Sequence, residues 1–137
     1  MVNIGVLALL LSGCATLSNL GESDRGRLVT ASNSYNRMLR WKELDMACGA
    51  FVEESGRRKC VDRAAALKDV QVTDVRTRNI EYSPAADEAT VHAEIEYYLL
   101  PSPRVKTLTD VQQWKLVGPE ERKVWVIRSS FPDFPVP

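Results

Sequence analysis

Between positions 90 and 99 the residue types alternate without a fault. Val91, Ala93, Ile95, Tyr97 and Leu99 stand on one side, and Thr90, His92, Glu94, Glu96 and Tyr98 on the other. Successive side chains of an extended chain point to opposite faces, so this run reads as a β-strand with one dry face and one wet face. Such a sheet must cover its dry face, and the residues before position 68 supply the cover. Leu28, Ala31, Tyr35, Met38 and Leu39 recur at spacings of three and four, with Ser23 or Asp24 placed to cap the start of a helix. The same spacing returns in Leu44, Ala47, Cys48 and Phe51, and again, after Glu54-Ser55-Gly56, in Cys60, Ala64 and Leu67.

After Leu67 the period shifts to two. Val70 and Val72, then Val75, then Ile80 and Tyr82 mark a long strand whose parity changes twice, which predicts a bulge or bend near Thr73-Asp74 and another after Val75. Residues 83–88 make a turn, and Pro101-Ser102-Pro103 ends the alternating strand. A third strand is expected over 105–117. Gly118-Pro119-Glu120-Glu121 turns the chain into a fourth over 123–129. The proline-rich tail, 132–137, cannot join a sheet interior. Helices followed by a run of antiparallel strands define an α+β class, with N-terminal helices packed on a four-stranded antiparallel sheet in a single domain, 24–131. Strands this long predict a strongly curved sheet.

The first fourteen residues have a different character. An apolar run from Ile4 to Leu11 is closed by Leu11-Ser12-Gly13-Cys14, an order that resembles a bacterial lipoprotein signal peptide. Signal peptidase requires small residues ahead of the cut, and lipid transfer requires a thiol, so each of Ser12, Gly13 and Cys14 has a chemical reason to be there. The run is too short to span a bilayer, which takes about 20 apolar residues, and it reads as a cleaved segment. Residues 1–13 contain neither Lys nor Arg, so the positive charge usual in such a segment would come from the amino terminus or from residues ahead of Met1. A buried N-terminal element that merely ends in a cysteine is the competing reading.

The resemblance implies removal of residues 1–13, a diacylglyceryl group on the Cys14 sulfur, a further acyl chain such as palmitate on its amine, and a lipidated tether over 14–23. Two or three chains at about 0.8 kcal/mol per buried methylene make such an anchor effectively permanent. Ala15 stands where an Asp would resemble the inner-membrane retention signal, which implies the periplasmic face of the outer membrane.

Charge and cysteine usage fit a folded body behind that anchor. Eighteen basic and eighteen acidic residues cancel, so nothing steers the chain toward nucleic acid. Setting Cys14 aside for lipid leaves Cys48 and Cys60 of the three cysteines. An even remainder in an exported chain suggests a disulfide worth about 3 kcal/mol, although two buried thiols would occupy the same inward stripes.

The order of elements over 24–131 resembles the cone-shaped fold shared by nuclear transport factor two and ketosteroid isomerase, or the cystatin-like arrangement. That resemblance implies a cavity between the first helix and the sheet. Tyr35, Tyr97, Asp110 and Trp114 are its candidate lining, with Asp110 notable for sharing parity with Leu108, Trp114 and Leu116. An acid on an apolar face is functional only if truly buried, and Gln112 on the same face suggests a hydrogen-bonded pair instead. His92, the single histidine, projects with Glu94 and Glu96 from the wet face. It would bind a metal only by recruiting more ligands. No spacing suggests an activated nucleophile or a phosphate loop, and neither metal nor cofactor is expected.

Trp125 and Ile127 alternate with Val124 and Val126, so the last strand reads as apolar on both faces. One face must then be covered by the tail, by a second copy or by another protein, which makes Trp125 and Ile127 the candidate interaction face. These features point to a non-enzymatic, membrane-anchored lipoprotein that binds a protein partner or itself. The alternative is a small apolar ligand binder, or an isomerase-like enzyme, using the cavity.

Overall fold

Ser23 starts the first helix as expected, its hydroxyl accepting a hydrogen bond from the Gly26 amide at 3.0 Å. The structure, a computed structural model, describes residues 23–135, so the leading segment 1–13, Cys14 and the tether up to residue 22 lie outside the described residues. Three helices come first: α1 (Asp24–Arg40), α2 (Leu44–Phe51) and α3 (Glu54–Ala65). Four strands follow: β1 (Val70–Ser83), β2 (Glu88–Leu99), β3 (Lys106–Val117) and β4 (Val124–Ile127). They form one antiparallel sheet in the order β1-β2-β3-β4, and the helices pack against it in an α+β fold. None of the described helices is long and apolar enough to cross a membrane.

The alternation in β2 is realised fully, with Val91, Ala93, Ile95 and Tyr97 buried against the helices. β1 pairs with it along its whole length, with register shifts between Val72 and Asp74 and between Thr77 and Asn79. The first falls where the parity predicts it. The second, at Arg78, falls after Val75 as expected but three residues on, because Thr77 continues the inner face, opposite Ala93, and receives a hydrogen bond there. A polar residue continuing a dry face hides the true position of the extra residue. Curvature shows at the far end of the sheet. β1 and β4 are three strand spacings apart, about 14 Å in a flat sheet, yet the rings of Tyr82 and Trp125 meet edge to face at 5.8 Å.

Cys48 and Cys60 form a disulfide that ties α2 to α3. Leu67 follows α3 in the turn to β1 and remains buried. The strand expected over 123–129 shortens to four residues. At one end the Arg27 guanidinium donates to the Lys123 carbonyl at 2.6 Å, and beyond the other the Ser129 hydroxyl accepts from the Gln113 amide at 3.0 Å. Gly118 makes the β3–β4 turn with φ of 110°, where a Cβ would stand 2.8 Å from the Arg122 carbonyl oxygen. The proline-rich tail adds no strand, but it is no appendage. Phe131, Pro132 and Phe134 are buried, and the Phe134 ring stands edge-on to Tyr97 at 5.1 Å.

Candidate functional site

Two polar residues interrupt the buried face of α1. Ser32 and Asn36 sit one turn apart among Leu28, Tyr35 and Leu39, and both are buried. On β3, Asp110, Gln112 and Trp114 share one face at the strand period of two, and all three are buried as well. Helix and strand meet through these groups. The Gln112 side-chain amide donates to Asn36 Oδ1 at 2.9 Å and to Asp110 Oδ2 at 3.0 Å, while its oxygen accepts from the Trp114 indole at 3.1 Å. Asn36 in turn donates to the Thr77 hydroxyl on β1 at 3.2 Å. The chain of bonds therefore runs from β1 through α1 to β3, and no buried side-chain nitrogen or oxygen among the described residues lacks a partner.

Burial pushes the Asp110 carboxyl up to about 6, against the opposing effect of the Gln112 hydrogen bond. Tyr35 is raised well above its ordinary value, first by its own burial and then by the nearby Asp110 charge. A raised carboxyl beside a buried phenol is the chemistry of an acid site, but a site also needs room for a substrate. That room is filled. Tyr35, Phe51 and Trp114 stack edge to face in a ring of three, with centroids 6.0 to 6.1 Å apart. Phe51 of α2 takes the space in which a ligand would have to lie between α1 and the sheet. Tyr97, the fourth residue of the predicted lining, makes its ring contact elsewhere, with Phe134. The sequence expectation of one pocket lined by Tyr35, Tyr97, Asp110 and Trp114 is thus corrected to a packed core crossed by a polar seam.

The seam touches solvent only at its flank. A groove of about 260 Å³ is lined by Asn33, Asn36, Arg37, Arg40, Asp74 and Thr77, among others. A second cleft, about 170 Å³, lies between α3 and the end of β4. Its charges are largely matched in pairs: Arg128 donates to both oxygens of Glu53 at 3.1 and 3.2 Å, and Arg63 pairs with Asp133 at 2.9 Å.

His92 is half-buried on the outer face of the sheet, 3.9 Å from Glu81. Glu94 beside it accepts from Arg78 at 2.8 Å, and that hydrogen bond holds its carboxyl below the usual range. Among the described residues no group of three or more His, Cys, Asp or Glu is placed to hold a metal ion.

Trp125 and Ile127 do not form an outward face. Both are buried, and the Trp125 indole donates to the Asp24 carbonyl at the start of α1 at 2.8 Å. Ile127 pairs with Trp114 across β3, which fixes it to the inner side. The outward residues of β4 are Val124, 56 % exposed, and the half-buried Val126. With Val124 and Val126 on one side and Trp125 and Ile127 on the other, both sides are apolar and alternation could not tell inside from outside.

Asn36, Thr77 and Phe51 were not candidates from the sequence. The available signal was the pair Ser32 and Asn36, four apart within an otherwise apolar helix stripe, which marks a buried polar contact without naming its partner. The chain matches no protein-family model, and no curated protein shows significant similarity to it.

Proposed function

We propose that the protein is a non-catalytic binding module, held on the periplasmic face of the outer membrane by lipid on Cys14, that docks a protein partner. The observation that carries this reading is the filled interior. Tyr35, Phe51 and Trp114 occupy the space beneath α1, and Asn36, Asp110 and Gln112 direct their hydrogen bonds at one another, so recognition falls to the surface. Support for the anchor comes from the order Leu11-Ser12-Gly13-Cys14 and from the cysteine balance. The Cys48–Cys60 disulfide leaves Cys14 outside that bond, and a buried structural disulfide suits an oxidising compartment.

Fractionation of cells expressing the full chain tests the anchor. The unaltered protein is expected in the membrane fraction, released by detergent, whereas Cys14→Ser moves to the soluble periplasmic fraction. Persistent membrane attachment of Cys14→Ser would overturn the lipid anchor. Cross-linking in the intact envelope tests the binding role, with discrete adducts expected; a chain that forms none at any exposed position is not a docking module.

A further inference from the structure

Trp41 and Met46 are the two most exposed large apolar side chains of the described residues, at 63 % and 60 %, and both stand at the junction of α1 and α2. An indole ordinarily hides most of its surface. Trp41 does not join Tyr35 and Leu39 in the core; instead the Arg40 guanidinium lies over its ring, 4.5 Å from the centroid. One nitrogen of that guanidinium donates to the Val72 carbonyl at 2.9 Å, which holds the side chain against β1.

Arg40 is also one wall of the groove of about 260 Å³ between α1 and the bulged stretch of β1. Asn33, Arg37 and Arg40 follow one another along it at helical spacing. From Leu28 to Lys42 the chain holds three cations, Arg37, Arg40 and Lys42, and no acid. The acid on the opposite wall, Asp74, is already occupied: its carboxylate accepts from the Arg76 guanidinium and from the Val75 amide. Within a neutral chain, the groove is therefore cationic.

Cations suit the last turn of any helix. Lys42 asks for more than that. It closes α1 in the left-handed conformation, with φ of 56°, its amide bonded to the Leu39 carbonyl and the Glu43 amide to that of Met38. Glycine is favoured at this position and any other residue costs stability, yet the chain sets a third cation there, next to Trp41.

We infer that this groove holds an acidic segment of the partner protein, with a carboxylate between Arg37 and Arg40 and an apolar side chain against Trp41. Arginine and tryptophan dominate the energetics of protein recognition surfaces, and an acid is what the unmatched charge calls for. Position favours a protein over the lipid surface. With a rise of about 1.5 Å per residue, Arg40 stands about 24 Å along α1 from Asp24, beside which the proposed tether joins the domain. The inference rests on the binding-module reading and names the chemistry of its partner.

A benzophenone side chain in place of the exposed Asn33, carried by the full chain in intact cells, tests it, with each adduct digested and the linked peptide sequenced. The expected linkage is to one acidic segment of another protein. Arg37→Glu and Trp41→Ala, both at exposed positions, each lower its yield about tenfold. Arg25→Glu, the same change of charge at the start of α1, leaves the yield unchanged. Lys42→Gly relieves the left-handed residue, so it raises the midpoint of thermal unfolding while lowering the yield about threefold. Linkage to lipid, to a second copy of the chain or to a segment without acids overturns the inference, as does a yield that falls equally with Arg25→Glu. No adduct at position 33, with adducts at other exposed positions, overturns the groove alone and leaves the binding-module reading standing; none at any position overturns both.

Discussion

The cover that α1 and α2 place over the sheet is built in two ways. On the α2 side the contact is dry: Tyr35, Phe51 and Trp114 meet edge to face, and the Cys48–Cys60 bridge holds α2 to α3 behind them. On the β1 side the contact is a line of directed bonds through Thr77, Asn36, Gln112 and Asp110. Burial of aromatic surface is strong, and its area-dependent part carries no direction, with the edge-to-face preference adding only about 1 kcal/mol per pair. Hydrogen bonds between buried groups contribute little net stability, yet a shifted helix would leave them unmade at a high penalty. The dry side therefore supplies most of the stability. The seam fixes where α1 lies along the sheet, and it does so with an acid that burial makes unfavourable when ionised.

The largest expected effect comes at the residue shared by both regions. Trp114→Ala removes a ring from the aromatic cluster and the donor to Gln112, and should cost about 4 kcal/mol in urea unfolding. Trp114→Phe separates the parts, since it keeps most of the ring contact and loses the indole donor. A Phe variant as unstable as the Ala variant would show that the seam, not the dry cluster, dominates.

Removing the disulfide tests the dry side alone. Cys48→Ala with Cys60→Ala should lower stability by roughly 3 kcal/mol, the loop-closure value for a short loop. The tertiary near-ultraviolet signal of the tryptophans should survive below the transition, because the aromatic cluster itself is untouched.

Asp110→Asn sharpens the other half of the comparison, and its sign is opposite. The folded carboxyl titrates at about 6 against an ordinary value of 3.8. The folded state thus holds the proton more tightly than the unfolded chain. Its contribution is fully present below about pH 4 and lost as pH rises to about 6. Above that window Asp110→Asn should be more stable than the unaltered protein by about 3 kcal/mol, with the difference fading toward pH 4. Denaturation midpoints from pH 4 to 8 read this directly, and an Asn variant weaker at pH 8 would mean the charge is compensated in the fold. The smallest effect belongs to a site in neither region: Ser23→Ala removes the α1 cap and should lower stability by about 1 kcal/mol.

How much of this could be read beforehand follows from how local each signal is. Leu28, Tyr35 and Leu39 announce α1 because helical spacing lies within a few residues, and Val91 to Tyr97 announce β2 for the same reason. Both cysteines fell on inward stripes, and they bond. What failed to show was contact between distant positions. Asn36 finds Gln112, 76 residues away, and nothing near either residue names the other. Phe51 was visible on the stripe of its own helix but not as the ring that closes the space beside Tyr35. Phe131 and Phe134 read as part of a tail because prolines rule out a strand, yet a chain without secondary structure can still bury its rings. Trp125 and Ile127 are buried although nothing in the sequence marks them as inward, because β4 has no polar residue to show its wet side.

The space beneath α1 is closed, and the Asp110, Gln112 and Trp114 end of the seam is shielded from water. The three indole protons test it together, each tryptophan serving as a control for the others. Trp114 donates to Gln112 and Trp125 to the Asp24 carbonyl, both buried, whereas Trp41 is 63 % exposed. After transfer to deuterated buffer, the indole signals of Trp114 and Trp125 are expected to persist long after that of Trp41 has vanished. Loss of the Trp114 signal as fast as that of Trp41 would mean that solvent reaches the core, and that the interior is an open chamber after all.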